Sequence, residues 1–492
     1  MEALQVIFIV LPFAMALALA VGIVVFGGAV IGRPMVPLLL YVAIFFVFAQ
    51  SSYGSLDLVR SNPVYARGSG QLFFPFLYWG LLVMVAWAWL GRAFSFEPSP
   101  PMPAVLGWLL AWVALLVGHV VVGTLNGVEL SQSLAGHGFV GVAWMAPLVL
   151  LMVWAGAGRQ SVSLLLVARL LVLAALAKSA FGLGRWAFRG GDPANIYANV
   201  GHLNIRLTYF DIADALVCVL GLAAGLSLLF VKRIEKRSVA WDWVYLVTVV
   251  LSLACIVLSY RRTAWGGVLF VLIYFFICMQ RRWRVPLAMF AVPVILVGLG
   301  VVMGQRLSLH EGSNALDKFF FDLVSSGSRS EGTRTLELRL AWEAFTNTPI
   351  LGIGSWGKYA SSHLIPWQDP VSAGSFLHSG ILHLAMKAGL VGLFLTGGLF
   401  WAFARQVRIA SASSTAEQRA LVMAGVAGLL FMVPDFLFGT PIAQVRTMQL
   451  VAFCFGLPCL VSAAQWARTQ PVLAGQTLRA RRSRGWLPTG VA

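Results

Sequence analysis

The sequence predicts an all-α polytopic membrane protein of about 12–13 transmembrane helices with one large, partly helical extracytoplasmic loop. Apolar residues make up 59% of the 492 residues and charged residues only 11%, whereas about a quarter of a soluble domain is charged. Apolar runs of about 18 residues or more recur along the chain, and each can cross a hydrocarbon layer as a helix. Because backbone amides in lipid must be satisfied within the chain, such runs indicate a helical bundle.

The first part of the chain, residues 1–181, is predicted to contain the N-terminal transmembrane helices. Its apolar runs are Leu4–Phe26, Met35–Tyr53, Leu72–Leu90, Pro103–Val122, Phe139–Ala155 and Val162–Phe181. The start of the chain lacks a basic segment and an early cleavage site. The first run is therefore expected to be a membrane helix and not a removed signal peptide.

The second part, residues 182–464, is predicted to hold the remaining helices and the large loop, residues 305–379. Its apolar runs are Leu207–Val231, Trp241–Ser259, Ala264–Gln280, Val285–Gly304, Ile381–Ala404, Leu421–Gly439 and Thr447–Ala464. Residues 465–492 form a basic tail that is expected to lie on the cytoplasmic side, close to anionic lipid.

Basic clusters orient the helices. They are Lys232, Arg233, Lys236 and Arg237; Arg281, Arg282 and Arg284; Arg405, Arg408 and Arg419; and Arg479, Arg481, Arg482 and Arg484. The positive-inside rule places these clusters in the cytoplasm. This rule is also the favoured explanation of the net charge of +17. We expect membrane lipids and not nucleic acid as partners. Residues 182–206, 260–263 and 305–379 are then extracytoplasmic. Thirteen helices put the N-terminus outside, and twelve put both ends inside.

Several arginines lie on the opposite side from these clusters. Arg206, Arg262 and Arg339 are candidates for binding a lipid pyrophosphate, because the planar guanidinium matches phosphate oxygens in pairs. Arg261 is the alternative to Arg262. The competing interpretation is that each arginine pairs with a nearby acid or reaches the interface, and it is favoured for Arg185, Arg189 and Arg334. The large loop itself is not basic, since six Lys or Arg face seven Asp or Glu.

The large loop contains a predicted helix and a glycine-bearing turn. Residues 335–345 have helical character, with apolar residues at Leu336, Leu340 and Ala344, and the helix is predicted to stop at Asn347-Thr-Pro349. The turn Ile350-Leu-Gly-Ile-Gly354 permits close backbone approach. His378 follows, where the loop meets the next membrane helix. It can accept a proton from a hydroxyl, or it is an ordinary interfacial hydrogen-bonding residue.

Charged residues within the apolar runs are a second set of candidates. Asp211 and Asp214 share a helix face, and an ion pair with Arg206 or Arg169 is preferred to a cation site. Lys178 is near a helix end, so an interfacial position is expected for it. All five cysteines lie in apolar runs and are expected to be small buried side chains. No nucleotide-loop or zinc-helix motif is present, and neither a cofactor nor a metal is expected.

In its second half the chain resembles a family of membrane enzymes. The motifs are Asn204-Ile-Arg206, Ser259-Tyr-Arg-Arg262-Thr-Ala, Arg339-Leu-Ala-Trp342, Pro349-Ile-Leu-Gly-Ile-Gly354, and His378 followed by Gly389. Their order and placement on one side of the membrane resemble the O-antigen ligase and polymerase superfamily of membrane glycosyltransferases, over roughly residues 185–440. Two positions depart from that family: Ser379 stands where many members have Asn, and Lys387 stands where an acid often precedes Gly389.

The resemblance implies an activity and a site. Such enzymes take a glycan from undecaprenyl pyrophosphate at the periplasmic face of the bacterial inner membrane and transfer it to an acceptor hydroxyl, without a metal. The acceptor is lipid A–core in the ligases and a growing glycan in the polymerases. The resemblance assigns Arg206, Arg262 and Arg339, with Arg261 as the alternative, to the pyrophosphate and His378 to the base.

Ligase is the leading prediction and polymerase the second. A protein O-oligosaccharyltransferase is a third relative, but these enzymes usually carry extra C-terminal soluble sequence. From other classes, a lipid-linked glycan flippase and an inactive structural subunit are the rivals. A flippase would carry charges along its helices through the midplane, whereas the candidates here concentrate on one face.

Overall fold

A computed structural model describes residues 34–43, 46, 76–95, 99–130, 139–158, 163–192, 206–209, 211–230, 238–307, 329–366, 373–439 and 441–469. These residues form helices, turns and loops. The α-helices are α1 (Met35–Ala43), α2 (Phe76–Ser95), α3 (Ala104–Leu125), α4 (Val140–Ala143), α5 (Met145–Ala157), α6 (Leu164–Phe188), α7 (Ile212–Phe230), α8 (Val239–Val257), α9 (Arg262–Cys278), α10 (Arg281–Leu307), α11 (Arg329–Asn347), α12 (Gly380–Ser411), α13 (Ala416–Phe438) and α14 (Val445–Thr469). The predicted helix Leu4–Phe26 and the end of the tail, residues 470–492, lie outside the described residues.

Seven of the described helices are long and apolar enough to cross a membrane: α3, α6, α7, α8, α12, α13 and α14. Three shorter apolar segments, in α2, α4–α5 and α9, add to them. The prediction of an all-α polytopic membrane protein is confirmed. Most of the described helices overlap predicted runs, and they extend past the predicted ends by a few residues at several places, as α14 does at both of its ends.

Two helices form the centre of the bundle. α7 and α14 are almost completely buried, whereas α3 and α8 expose most of their length. α7 packs against α6, α8 and α13, and α14 packs against α5 and α13. A helix that is apolar on all sides is expected at such a central position. The outer helices keep large apolar side chains exposed, among them Leu110, Val117 and Leu269, which suits contact with lipid tails.

A buried ionic network crosses this centre at one end of α7. Asp214 accepts hydrogen bonds from both terminal nitrogens of Arg446 on α14, and the ammonium of Lys178 on α6 lies 2.8 Å from its Oδ1. Asp211 lies 3.6 Å from Arg446. Buried charges of this kind are tolerated only when they are paired, so the network ties α6, α7 and α14 together.

The network corrects two predictions. Asp211 and Asp214 pair with Arg446, and Asp214 also with Lys178, and not with Arg206 or Arg169. Arg169 instead stacks on the Trp241 ring at 4.2 Å and donates to the Tyr245 hydroxyl. Lys178 was expected at the interface but is buried, because its carboxylate partner lies inside the bundle. One cysteine also differs from expectation: Cys278, at the end of α9, is exposed.

The glycine-bearing turn docks onto a break in α12. The break is at Gly389, whose φ of 62° and ψ of −161° are open essentially to glycine alone. Four main-chain hydrogen bonds join the turn to the helix there: Ile353 N to Met386 O, Gly354 N to Lys387 O, Leu390 N to Pro349 O, and Val391 N to Ile350 O. A side chain at Gly389 would collide with the carbonyl of Ile350. The predicted close backbone approach is confirmed.

Replacing Gly389 with Ala is expected to destabilise the protein by about 1–3 kcal/mol, because the backbone angles and the Ile350 carbonyl both oppose a Cβ atom there. The measurement is the midpoint of thermal unfolding of the purified protein in detergent. Gly397→Ala is the matched control on the same helix, since no atom lies within 4 Å of the added Cβ. Equal midpoints for the two variants would contradict the proposed docking.

Candidate functional site

One end of the bundle, called here the site end, gathers four of the predicted site residues. It is formed by the C-terminal ends of α6, α8 and α13 and the N-terminal ends of α7, α9, α12 and α14. Hydrogen bonds between the connecting segments hold these ends together. Thr208, before α7, donates its amide to Leu258 O and its hydroxyl to Cys255 O, both at the end of α8. The connection that carries Arg206 therefore packs against the turn that carries Arg261 and Arg262.

Arg206 is positioned by its main chain. The indole of Trp186 donates to Arg206 O at 3.1 Å, and Arg206 Nη1 makes only a long contact, 3.4 Å, with Ala187 O. Arg206 is half-buried and pairs with no acid of the described residues. The predicted alternative, an ion pair with a nearby acid, is not found for it there.

Arg185 behaves differently and is structural, as predicted. It lies 3.0 Å from Asp192 Oδ2, donates to the carbonyl of Thr208, and stacks over the ring of Tyr209 at 5.0 Å. Tyr209 donates its hydroxyl to Lys178 O. Burial raises the pKa of the Tyr209 phenol well above its usual range, so this hydroxyl stays a neutral donor. These contacts build the support under Arg206.

The two neighbouring arginines have different environments. Arg261 precedes α9, and its Nη2 lies 3.0 Å from Asp435 Oδ1 near the end of α13. Thr263 donates its hydroxyl to the same oxygen at 3.0 Å. Asp435 thus fixes the start of α9, and Arg262, half-buried, is the first residue of that helix. The positive end of the helix dipole adds to the charge at this point.

His378 is brought to the same end by tight packing of α12 against α13. A Cβ atom on Gly380 would lie 2.6 Å from Phe436 O, so the two backbones touch there. Phe436 follows Asp435, the partner of Arg261. Tyr359 donates its hydroxyl to Phe376 O and its amide to Gly374 O, which holds the segment that leads to His378.

Ser379 begins α12 as its capping residue. Its hydroxyl accepts a hydrogen bond from Leu382 N. Asn caps helices about as well as Ser. The departure from the His-Asn pair therefore preserves the local function, and it leaves His378 immediately before a capped helix.

The side chain of His378 contacts a residue that the sequence did not single out. Its Nδ1 lies 2.8 Å from Glu337 Oε2, and the carboxylate side chain is only 1% exposed while the imidazole is 38% exposed. Glu337 belongs to α11 in the large loop. Ala341, one turn later on the same helix, belongs to a small apolar cluster: Ala341, Tyr359, Ala360, Ile365, Ala373, Leu377 and Met386.

This burial corrects the predicted face of α11. The helix ends at Asn347, as predicted. However, its most buried residues are Glu337 and Ala341, with Leu336 left 37% exposed. The buried face is shifted by one residue, because Glu337 is satisfied by His378 and Ala341 is small enough for close packing. Leu340 and Ala344 are half-buried beside it.

Arg339 is exposed on the other side of α11. Arg339 is two positions after Glu337, about 160° around the helix, so the helix points Arg339 away from His378. Lys387, the second departure from the family, is buried in α12 and donates to Ser355 O at 2.7 Å. It thereby fastens the glycine-bearing turn to the helix.

Residues 247–397 match the family model described as O-antigen ligase. Over this stretch the chain is similar to the O-antigen ligase family. Its matched region runs from within α8 to within α12, and it contains Arg261, Arg262, Glu337, Arg339 and His378. No curated protein matches the chain.

Some of the residues that build the site end lie outside the matched region. Arg206 precedes the matched region, as do Lys178, Asp211 and Asp214 of the buried network, whose partner Arg446 follows it. Asp435, which binds Arg261, follows it. The site end is therefore assembled from the matched region together with α6, α7, α13 and α14, which flank it in the sequence.

Proposed function

We propose that the protein is a glycan transferase of the O-antigen ligase type. It moves a glycan from an undecaprenyl-pyrophosphate-linked donor to an acceptor hydroxyl at the periplasmic face of the inner membrane. The acceptor proposed first is lipid A–core. The observation that carries this proposal is the match to the O-antigen ligase family model together with the position of His378 and Arg262 at one end of a membrane bundle. Gly380, near His378, packs against Phe436, and the adjacent Asp435 pairs with Arg261.

The chemistry of such a transfer needs a base and several cations. The acceptor hydroxyl loses its proton to an imidazole nitrogen as it attacks the anomeric carbon. The glycosidic bond to the pyrophosphate breaks on the opposite face, and the leaving group gains negative charge. Guanidinium groups and helix N-termini stabilise that charge. α9 and α12 both begin at the site end. Their N-termini therefore lie beside Arg262 and His378.

Among the arginines, we assign Arg206 and Arg262 to the pyrophosphate. Arg261 is engaged by Asp435 and positions the start of α9. Arg339 keeps its assignment on the basis of its motif, and from its exposed position it contacts a substrate that covers α11.

Arg262→Ala is expected to lower the rate of transfer by about tenfold to a hundredfold, because a hydrogen bond to a charged group contributes about 1.5–3 kcal/mol. The measurement is transfer of lipid-linked glycan by purified protein in detergent. Arg334→Ala, an exposed arginine of α11, is the control and should keep full activity. Full activity of Arg262→Ala would remove Arg262 from the proposed site.

The acceptor is tested by deleting the gene and separating the lipopolysaccharide on a gel. Loss of all long chains, with polymer retained on the lipid carrier, is the expected result for a ligase. Core bearing a single repeat would indicate the polymerase of the same superfamily. Unchanged lipopolysaccharide would contradict both acceptors. Transfer by purified protein in detergent, where there are no membrane sides, would exclude a flippase.

A further inference from the structure

We propose that Glu337 is a positioning residue that sets the tautomer of His378, so that Nε2 is the nitrogen that takes the proton of the acceptor hydroxyl. The role of His378 Nε2 as a proton acceptor in glycan transfer rests on the proposed function. The contact itself, His378 Nδ1 to Glu337 Oε2 at 2.8 Å, is independent of that function.

The first step of the argument is hydrogen-bond chemistry. An ionised carboxylate only accepts hydrogen bonds, and a neutral imidazole carries its single proton on one of two nitrogens. With an ionised Glu337 facing Nδ1, the proton of a neutral imidazole lies on Nδ1. Nε2 then holds a lone pair and makes no hydrogen bond to the described residues.

The second step is burial. The side chain of Glu337 is 1% exposed and the imidazole of His378 is 38% exposed. The carboxylate is therefore shielded from solvent, whereas part of the imidazole is accessible. A buried carboxylate holds its partner more firmly than an exposed one, because water does not compete for it. The orientation of the imidazole is therefore fixed from inside the loop, and its accessible part faces outward.

The third step is rigidity of the two supports. Glu337 lies on α11, one turn before Ala341 and the apolar cluster. His378 lies immediately before the cap of α12, and Leu377, its neighbour, is buried in that same cluster. Both members of the pair are held by one packed unit, which suits a group that must keep a defined angle to its substrate.

In the proposed transfer, the O–H bond of the acceptor breaks and its proton passes to Nε2. The oxygen forms a bond to the anomeric carbon, and the bond from that carbon to the pyrophosphate oxygen breaks with its electron pair. His378 becomes an imidazolium with a proton on each nitrogen. The carboxylate of Glu337 stabilises this cation through the Nδ1 proton without taking the proton itself.

The tautomer is tested directly by nuclear magnetic resonance of purified protein with ¹⁵N-labelled histidine, at a pH where imidazoles are neutral. The chain has seven histidines, and loss of signals in His378→Gln identifies those of His378. The expected result is a protonated Nδ1 and an unprotonated Nε2. In Glu337→Gln the amide can donate as well as accept, so we expect a mixture of tautomers. An unprotonated Nδ1 in the unaltered protein would overturn the inference, whatever the protein transfers.

The role in transfer is tested by kinetics of matched variants. Glu337→Gln is expected to lower kcat at least tenfold with little change in KM for the donor, and Glu337→Asp to restore part of the loss. Glu343→Gln, an exposed acid on the same helix, should behave as the unaltered protein. An inactive His378→Gln beside a fully active Glu337→Gln would overturn the positioning role and leave the proposed function standing. A fully active His378→Gln would contradict the proposed base itself.

Discussion

Replacing His378 with Ala is expected to reduce glycan transfer by about 10²- to 10⁴-fold, the range that general-base catalysis contributes. The imidazole is 38% exposed, so the loss concerns chemistry more than packing. The measurement is the initial rate of transfer from the lipid-linked donor, with the amount of folded protein determined by size-exclusion chromatography.

Two controls separate the base from its surroundings. His378→Gln keeps an amide that can donate to the buried carboxylate of Glu337, so the loop stays paired while the base is absent, and transfer should fall as far as in the Ala variant. His363→Ala changes an exposed histidine of the same loop and should keep full activity. Normal transfer by either His378 variant would exclude the histidine as the base.

Removing Asp214 is the change with the largest expected effect on stability. Asp214→Ala leaves Lys178 and Arg446 buried near each other without their shared carboxylate. Loss of one partner from a buried ion pair costs about 3–5 kcal/mol. We expect a large fall in the thermal midpoint in detergent and a low yield of folded protein.

Asp211→Asn is the matched control on the same turn. Asp211 is 15% exposed, lies 3.6 Å from Arg446, and accepts a hydrogen bond from Ala213 N at the start of α7. Asn can keep that cap, so a small change is expected. A second variant, Asp214→Ala with Lys178→Met, removes one of the two stranded charges and should recover part of the loss. Equal midpoints for Asp214→Ala and Asp211→Asn would contradict the assigned network.

The local features of the loop could be predicted from sequence because their signals are local. Asn347-Thr-Pro349 ends α11, since the residue before a proline avoids helical angles. The glycine-bearing turn, Ile350 to Gly354, carries its own conformational signal. Its contact with Gly389 was predicted only as close backbone approach, because the sequence does not name the backbone that approaches.

The ion pairs could not be predicted, because their partners are distant in the chain. Asp214 and Arg446 are separated by 232 positions, and nothing in either segment names the other. The sequence analysis favoured Arg206 or Arg169 instead. These two cations are used elsewhere: Arg169 stacks on Trp241, and Arg206 lies at the site end.

Glu337 was missed for a related reason. Helical periodicity assigns apolar residues to the buried face, and that rule selected Leu336. An acid is buried only when a partner is present, and that partner, His378, lies 41 positions later. The available signal was an acid, Glu337, between two leucines and two positions before Arg339. Only the folded structure shows that His378 is its partner.

The four main-chain hydrogen bonds between the glycine-bearing turn and α12 bear on how segments of this chain can be exchanged with those of similar proteins. Because backbone atoms make these bonds, they do not depend on the side chains at Ile350, Leu351 or Ile353. They do require the spacing between the turn and Gly389. An exchange of segments between similar proteins should therefore keep residues 349–391 together, so that the turn, Gly389 and the start of α12 beside His378 stay in register. The orientation of the imidazole additionally requires Glu337, which lies outside this segment.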